Sequence, residues 1–239
     1  MIGSIGRLGA VVLALSVAAC AAVPRVAPIE PEGNLAVLGP GPSFAIETLP
    51  SDWAVSGRST IASSQISAIQ KDGVPALHVV NDKEPFVVVR RTNAPMILTP
   101  YLSWAWRMAP YDGVGTHPVR LVIGFSGGAR GGGSQSLPWL GSELPPHDRA
   151  LSIAWGESAL QRGTLSETGS GRNVPRYTVR GGREQASAWW LETLDLAGLY
   201  SQAWPQDESA KVRIVFVGLA AEGARPPSEA DISGIQLSR

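Results

Sequence analysis

The strictest pattern in this chain is the alternation in Tyr101-Leu102-Ser103-Trp104-Ala105-Trp106-Arg107-Met108. Leu102, Trp104, Trp106 and Met108 share one side, and Tyr101, Ser103, Ala105 and Arg107 share the other. A period of two is the signature of a strand buried on one face, and no helix can satisfy it. Val119 to Phe125 repeats the pattern, with Val119, Leu121, Ile123 and Phe125 inward. The same reasoning predicts strands at Ala76–Val80, Phe86–Arg91, Ala150–Trp155, Arg176–Arg180, Ala188–Thr193, Val212–Leu219 and Ile232–Leu237. Asp72-Gly73, Asn81-Asp82, Gly181-Gly182 and Glu222-Gly223 supply turns between them. One short helix is predicted from Leu196 to Ala203, closed by Pro205. Nine or ten short strands with so little helix define an all-β chain, an antiparallel sandwich or barrel. No fixed-period repeat marks a propeller or solenoid.

Composition narrows the function classes. Twenty Lys and Arg balance twenty Asp and Glu, and no basic block occurs, which argues against a nucleic-acid partner. The single cysteine excludes an internal disulfide framework and multi-cysteine zinc sites. Nothing in the chain calls for a cofactor.

That one cysteine is Cys20. Residues 1–19 carry Arg7 and then an apolar run from Leu8 to Val17, too short to span a bilayer and of signal-peptide length. Val17-Ala18-Ala19-Cys20 resembles a bacterial lipobox, which implies lipidation of Cys20 after cleavage before it. Several acyl chains on one residue anchor stably. Ala21 in place of Asp favours, by analogy with lipoprotein sorting, the outer membrane facing the periplasm. Residues 20–42 hold Pro24, Pro28, Pro31, Pro40 and Pro42 and read as an extended tether, reaching roughly 70 Å at most. The apolar Leu35–Leu38 run is the part able to dock instead as an edge strand. Residues 43–239 form the folded domain.

Eight tryptophans are the compositional oddity. Trp104, Trp106 and Trp155 share faces with aliphatic neighbours and are expected in the core. Trp189 and Trp190 are adjacent, so one points away from the core, and Trp139 stands in a loop. Stacking of sugar rings on Trp139 and Trp190 is the binding hypothesis. Arg107 and Arg120, on the polar sides of two strands expected to be neighbours, add guanidinium forks for a carboxylate, phosphate or acidic sugar. The long loop from Ser126 to Arg149, with its glycine run Gly127 to Gly133, lacks the Gly-Lys-Ser/Thr ending of a phosphate loop. It is read as the loop-bearing rim of the site, around Gly127–Asp148. His117 and His147 have no nucleophile motif beside them. Asp112, Glu143 and Asp148 are the acids that calcium would require.

The order of strands and aromatics resembles an uncharacterised bacterial envelope family, domain-of-unknown-function family 3047. Lys71-Asp72-Gly73, Leu102 through Arg107, Arg120 through Phe125, Ile153-Ala154-Trp155-Gly156, Trp189 through Glu192, Asp195 and Ala230-Asp231-Ile232 carry the resemblance, over roughly Phe44 to Arg239. It implies a jelly-roll-like β-sandwich similar to galactose-binding and carbohydrate-binding modules, and no assigned reaction. The family's paired acids before the Arg-containing strand are replaced here by Gly115-Thr116-His117-Pro118, leaving Asp112 as the nearest acid.

These readings converge on a lipid-anchored envelope protein with a non-catalytic module for a cell-envelope glycan or small ligand. Two alternatives stand beside it. One is a carbohydrate-active hydrolase using two acids such as Glu157 and Asp195, 5–9 Å apart. The other is a structural or assembly lipoprotein whose partner is another envelope protein.

Overall fold

The computed structural model describes residues 25–39, 44–57, 65–82, 84–129, 144–166, 174–223 and 226–239. Cys20 and Trp139 lie outside them. In chain order the strands are β1 Leu35–Leu38, β2 Trp53–Ser56, β3 Ile66–Lys71, β4 Val74–Asn81, β5 Phe86–Pro95, β6 Tyr101–Met108 and β7 Val119–Ser126. They continue with β8 Arg149–Gly156, β9 Thr164–Ser166, β10 Arg176–Gly181, β11 Trp190–Asp195, β12 Arg213–Ala221 and β13 Ser228–Ser238. The one α-helix among the described residues, α1, spans Leu196–Ala203.

Two sheets pack face to face as a β-sandwich. The first runs β11-β6-β13-β4-β3, with β1 beside the last part of β13; the second runs β2-β5-β12-β7-β8-β10-β9. All pairings are antiparallel except β8 with β10. That exception corrects the expectation of a wholly antiparallel sheet. After β8 the chain crosses to β9, which pairs antiparallel with β10 and so leaves β10 running the same way as β8.

The alternating tryptophans do what their spacing requires. Trp104 and Trp106 from β6 and Trp155 from β8 meet between the sheets, the two pairs edge to face at 5.3 and 5.8 Å. Edge-to-face contact places a positive ring edge on a negative ring face, adding to the burial of large apolar area. α1 is capped by the Asp195 carboxylate, which accepts from the Gly198 N–H at 2.9 Å, and it buries Leu196, Leu199 and Tyr200.

Two features depart from expectation. Residues 25–39 lie on the sandwich instead of extending as a tether. Ala27 donates its N–H to Arg91 O, and Leu35, Val37 and Leu38 are buried where β1 completes the edge along β13. Burying Leu35, Val37 and Leu38 holds this segment on the sandwich, and an extended strand is compatible with the surrounding prolines. The second sheet, moreover, is apolar on both sides. Val87, Val89, Val122, Ala150, Phe216 and Ala220 form a separate buried cluster on its outward side, with Leu144 packed against it. Among the described residues the first sheet has the more open outer side, with Tyr101 exposed and Ser103, Ala105 and Arg107 half-buried along β6.

Candidate functional site

On that open side, register brings four strands into one polar row. β4 puts His78 opposite Asp231 of β13, β13 puts Asp231 opposite Arg107 of β6, and Ser67 of β3 faces His78. His78 Nδ1–H donates to Asp231 Oδ1 at 2.7 Å, and Arg107 Nη1 donates to Asp231 Oδ2 at 3.3 Å. Arg107 Nε donates to Ser187 O at 3.1 Å and lies 3.6 Å from Asp72 Oδ2. Asp72 occupies the turn between β3 and β4, where its φ of 52° and that of Gly73 at 79° make the tight reversal. Thus the Lys71-Asp72-Gly73 turn delivers an acid to the guanidinium. The row borders a hollow of about 170 Å³, lined by Ile69, Lys71, His78, Arg107, Glu229 and Asp231 among others. The buried Asp231 carboxylate is satisfied by two donors, as a carboxylate removed from water must be.

Alternation puts Trp189 and Leu191 on this same outer side, since Trp190 packs against the core. Trp189 is half-buried and its buried indole N–H has no acceptor, while Leu191 and Tyr101 are exposed. The outer side therefore combines hydrogen-bonding groups with apolar surface.

A second hollow, of about 130 Å³, opens between the sheets at the end where β6 finishes and β7 begins. His117 is buried there, with Nδ1 accepting from the Val119 N–H at 3.2 Å and its ring against Tyr111. Burial is the main cause that lowers its pKa from 6.5 to about 4, with Arg120's charge a smaller one; backbone hydrogen bonding acts the other way.

The predicted site residues do not assemble as expected. Arg107 belongs to the polar row. Arg120 does not join it, because β6 and β7 lie in different sheets. Its side of β7 is buried instead of solvated, and it pairs with Glu222. Trp190 has the Arg180 guanidinium 3.7 Å from its ring centroid and donates its N–H to Gln185 O, so one face and the polar edge are already occupied. Arg180 in turn pairs with the buried Glu192 at 2.5 Å. The base of the Gly127–Asp148 rim, where Asp148 Oδ2 accepts from the Gly127 N–H, sits at the far end of β7 from Arg120. Arg107 and Trp190 lie near Arg120's end, away from that base; residues 130–143 of the rim, Trp139 among them, lie outside the described residues.

The paired-acid arrangement fails for the same reason. Asp195 is in register with Tyr101, whereas Glu157 lines the hollow beside Ala109. The length of β6, roughly 25 Å, separates them. Asp112 pairs with Arg183 at one end of the sandwich and Asp148 caps Gly127 at the other. Sequence reasoning missed His78 and Asp231. Their one signal was a polar residue between core-facing aliphatics in each strand, His78 between Leu77 and Val79 and Asp231 between Ala230 and Ile232.

No family model and no curated protein matches this chain. Among solved structures it is similar to a family 11 carbohydrate-binding module of a cellulosomal cellulase from Clostridium thermocellum. That match has 7% identity, covers 85% of this chain and 94% of that one, and has a TM-score of 0.40. Endoglucanase 3 of family GH12 from Trichoderma harzianum matches at 9% identity over 86% of this chain and 90% of that one, with a TM-score of 0.39. The family 12 xyloglucanase from Bacillus licheniformis does so at 9% over 87% and 94%, with a TM-score of 0.38. At such identities none of their residues transfers to this chain.

Proposed function

We propose that this protein is a lipid-anchored module of the bacterial cell envelope that holds a glycan on the open side of its first sheet. Anchoring at Cys20, placement at the outer membrane facing the periplasm, and kinship with family 3047 belong to the same proposal. The observation that carries the ligand class is the row His78–Asp231–Arg107 in its solvent-facing hollow. Sugar hydroxyls donate and accept at once, and this row offers Arg107 and Lys71 as donors beside Asp231, Asp72 and Glu229 as acceptors. Cations and carboxylates nearly balance there, which suits a neutral polyol better than an ion. Tyr101 and Trp189 on the same side offer surface for the C–H faces of sugar rings.

Thermal unfolding of the full chain against a panel of envelope glycans and peptidoglycan fragments tests this. A ligand at 100 times its dissociation constant stabilises by about 2.7 kcal/mol. The upward shift in melting temperature is expected to vanish in Arg107→Gln and Trp189→Ala and to persist in Trp190→Phe. No shift with any member, or a shift indifferent to Arg107, rejects the reading.

A protein partner is the second reading, and one feature favours it. β11 is an edge strand of the first sheet, with Leu191 76% exposed. An open edge is a template for an added strand. Capture of a partner that Leu191→Lys abolishes would select it.

A further inference from the structure

The outward side of the second sheet holds two arginines that the glycan proposal does not use. Arg120 stands near the start of β7, and Arg176 opens β10, with β8 between them. Arg176 is in register with Ser152, which is in register with Val122, so Arg176 and Arg120 share one side of the sheet, one pleat step apart. The residues between them, Ser152 and Ala154, are small, leaving room for both long side chains to meet above the strands. Thr116 confirms the direction that Arg176 takes. Its Oγ1 accepts from Arg176 Nη1 at 3.2 Å, and it lies just before β7, four residues ahead of Arg120.

The charges do not cancel. Arg120 is only 3% exposed, and among the described residues its one acidic partner is Glu222. The Nε–H of Arg120 and the Nε–H of Arg176 are both buried without an acceptor among the described residues. A buried donor left unpaired is costly, and a charged one more so. Burial lowers the Arg120 pKa from its ordinary value to about 10; Glu222 opposes this, and Arg176 lowers it further through like charge. Two cations thus stand near one carboxylate, which pairs with Arg120, and among the described residues this leaves one positive charge and two unfilled Nε–H donors. Arg176, Thr116 and Glu222 are half-buried and give the approach from solvent.

We propose that Arg120, Arg176 and Thr116 form a binding site for a singly charged oxyanion, the carboxylate of an acidic sugar or a phosphodiester. Two guanidiniums fix such a group by charge-assisted hydrogen bonds with defined geometry, and the Thr116 hydroxyl still has its proton to donate. Glu222 holds Arg120 in place while competing with the ligand for it.

The test is an NMR titration of the ¹⁵N-labelled full chain, following arginine Nε–H signals, with sodium glucuronate, dimethyl phosphate and glucose at fixed ionic strength. Glucuronate or dimethyl phosphate is expected to bind saturably and shift the Arg120 and Arg176 signals; the one that does so identifies the source. Glucose is expected to leave those two signals unmoved. Arg176→Gln, at a half-buried position compatible with folding, is expected to weaken anion binding about tenfold or more. Glu222→Gln removes the competing carboxylate and is expected to tighten it. Absence of saturable binding by both anions, binding unchanged in Arg176→Gln, or weaker binding in Glu222→Gln would each overturn the site.

Discussion

His78 and Asp231 are 153 residues apart in the chain, yet they face each other across β4 and β13 with Nδ1 2.7 Å from Oδ1. The same carboxylate takes Arg107 on its other oxygen. Asp231→Asn keeps the shape and removes the charge that both donors answer. Loss of charge-assisted bonds at this buried carboxylate is expected to cost about 1–3 kcal/mol, read from urea denaturation at neutral pH. A variant as stable as the parent would show the row to be energetically idle.

His117 makes stability depend on pH. Its folded-state pKa of about 4 lies below the ordinary 6.5, so the unfolded chain binds this proton first as pH falls. Stability is therefore full above about pH 6.5 and is lost as pH drops towards 4. A gap of this size corresponds to a loss on the order of 3 kcal/mol at the acid end. Denaturation midpoints at pH 7 and pH 4.5 should differ less in His117→Gln than in the parent. An identical slope in both would assign the acid sensitivity elsewhere.

Gly218 in β12 faces the backbone of β5. A methyl group there would meet Val88 O and lie 2.5 Å from Val89 Cα, neither of which is a flexible side chain. Gly218→Ala is expected to destabilise by about 1–3 kcal/mol, seen as a lowered melting temperature. An unchanged melting temperature would mean that β5 and β12 separate more easily than their register suggests.

The boundary of the folded unit can be tested at β1. Leu35 is fully buried, and Leu35→Ala is expected to cost about 2–5 kcal/mol. Truncation to residues 43–239 should be at least as damaging, because it also strips the hydrogen bonds along β13. Melting curves that overlay those of the full chain would return residues 25–39 to the role of a spacer.

Legibility in the sequence followed burial geometry. β6 and α1 appear with the bounds their patterns predict, because each is buried on one face and polar on the other. β2, β3 and β9 carry no strand signal of their own, and β1 shows only as the Leu35–Leu38 run able to dock as an edge strand. They have three to six residues, and such short runs hold too few alternations to rise above their surroundings. Val87-Val88-Val89 exposes the deeper limit. In a strand apolar on both sides, periodicity no longer says which side meets solvent, and the same ambiguity misplaced Arg120 on a solvated face. The polar row stayed hidden because β13, the last strand of the chain, inserts between β4 and β6 and only then sets Asp231 between His78 and Arg107. No local pattern encodes a neighbour that arrives from the other terminus.

The division of β13 has a mechanical consequence. Its register breaks between Ser233 and Gln236; the part before pairs with β4, and the part after pairs with β1. From the amino-terminal side the chain joins the sandwich first at Ala27, whose N–H meets Arg91 O, and then through β1, whose ladder joins it to the carboxy-terminal stretch of β13. β13 also lies hydrogen-bonded along β6. A pull on β1 is thereby passed from a peripheral four-residue strand to the middle of the sheet that carries the polar row.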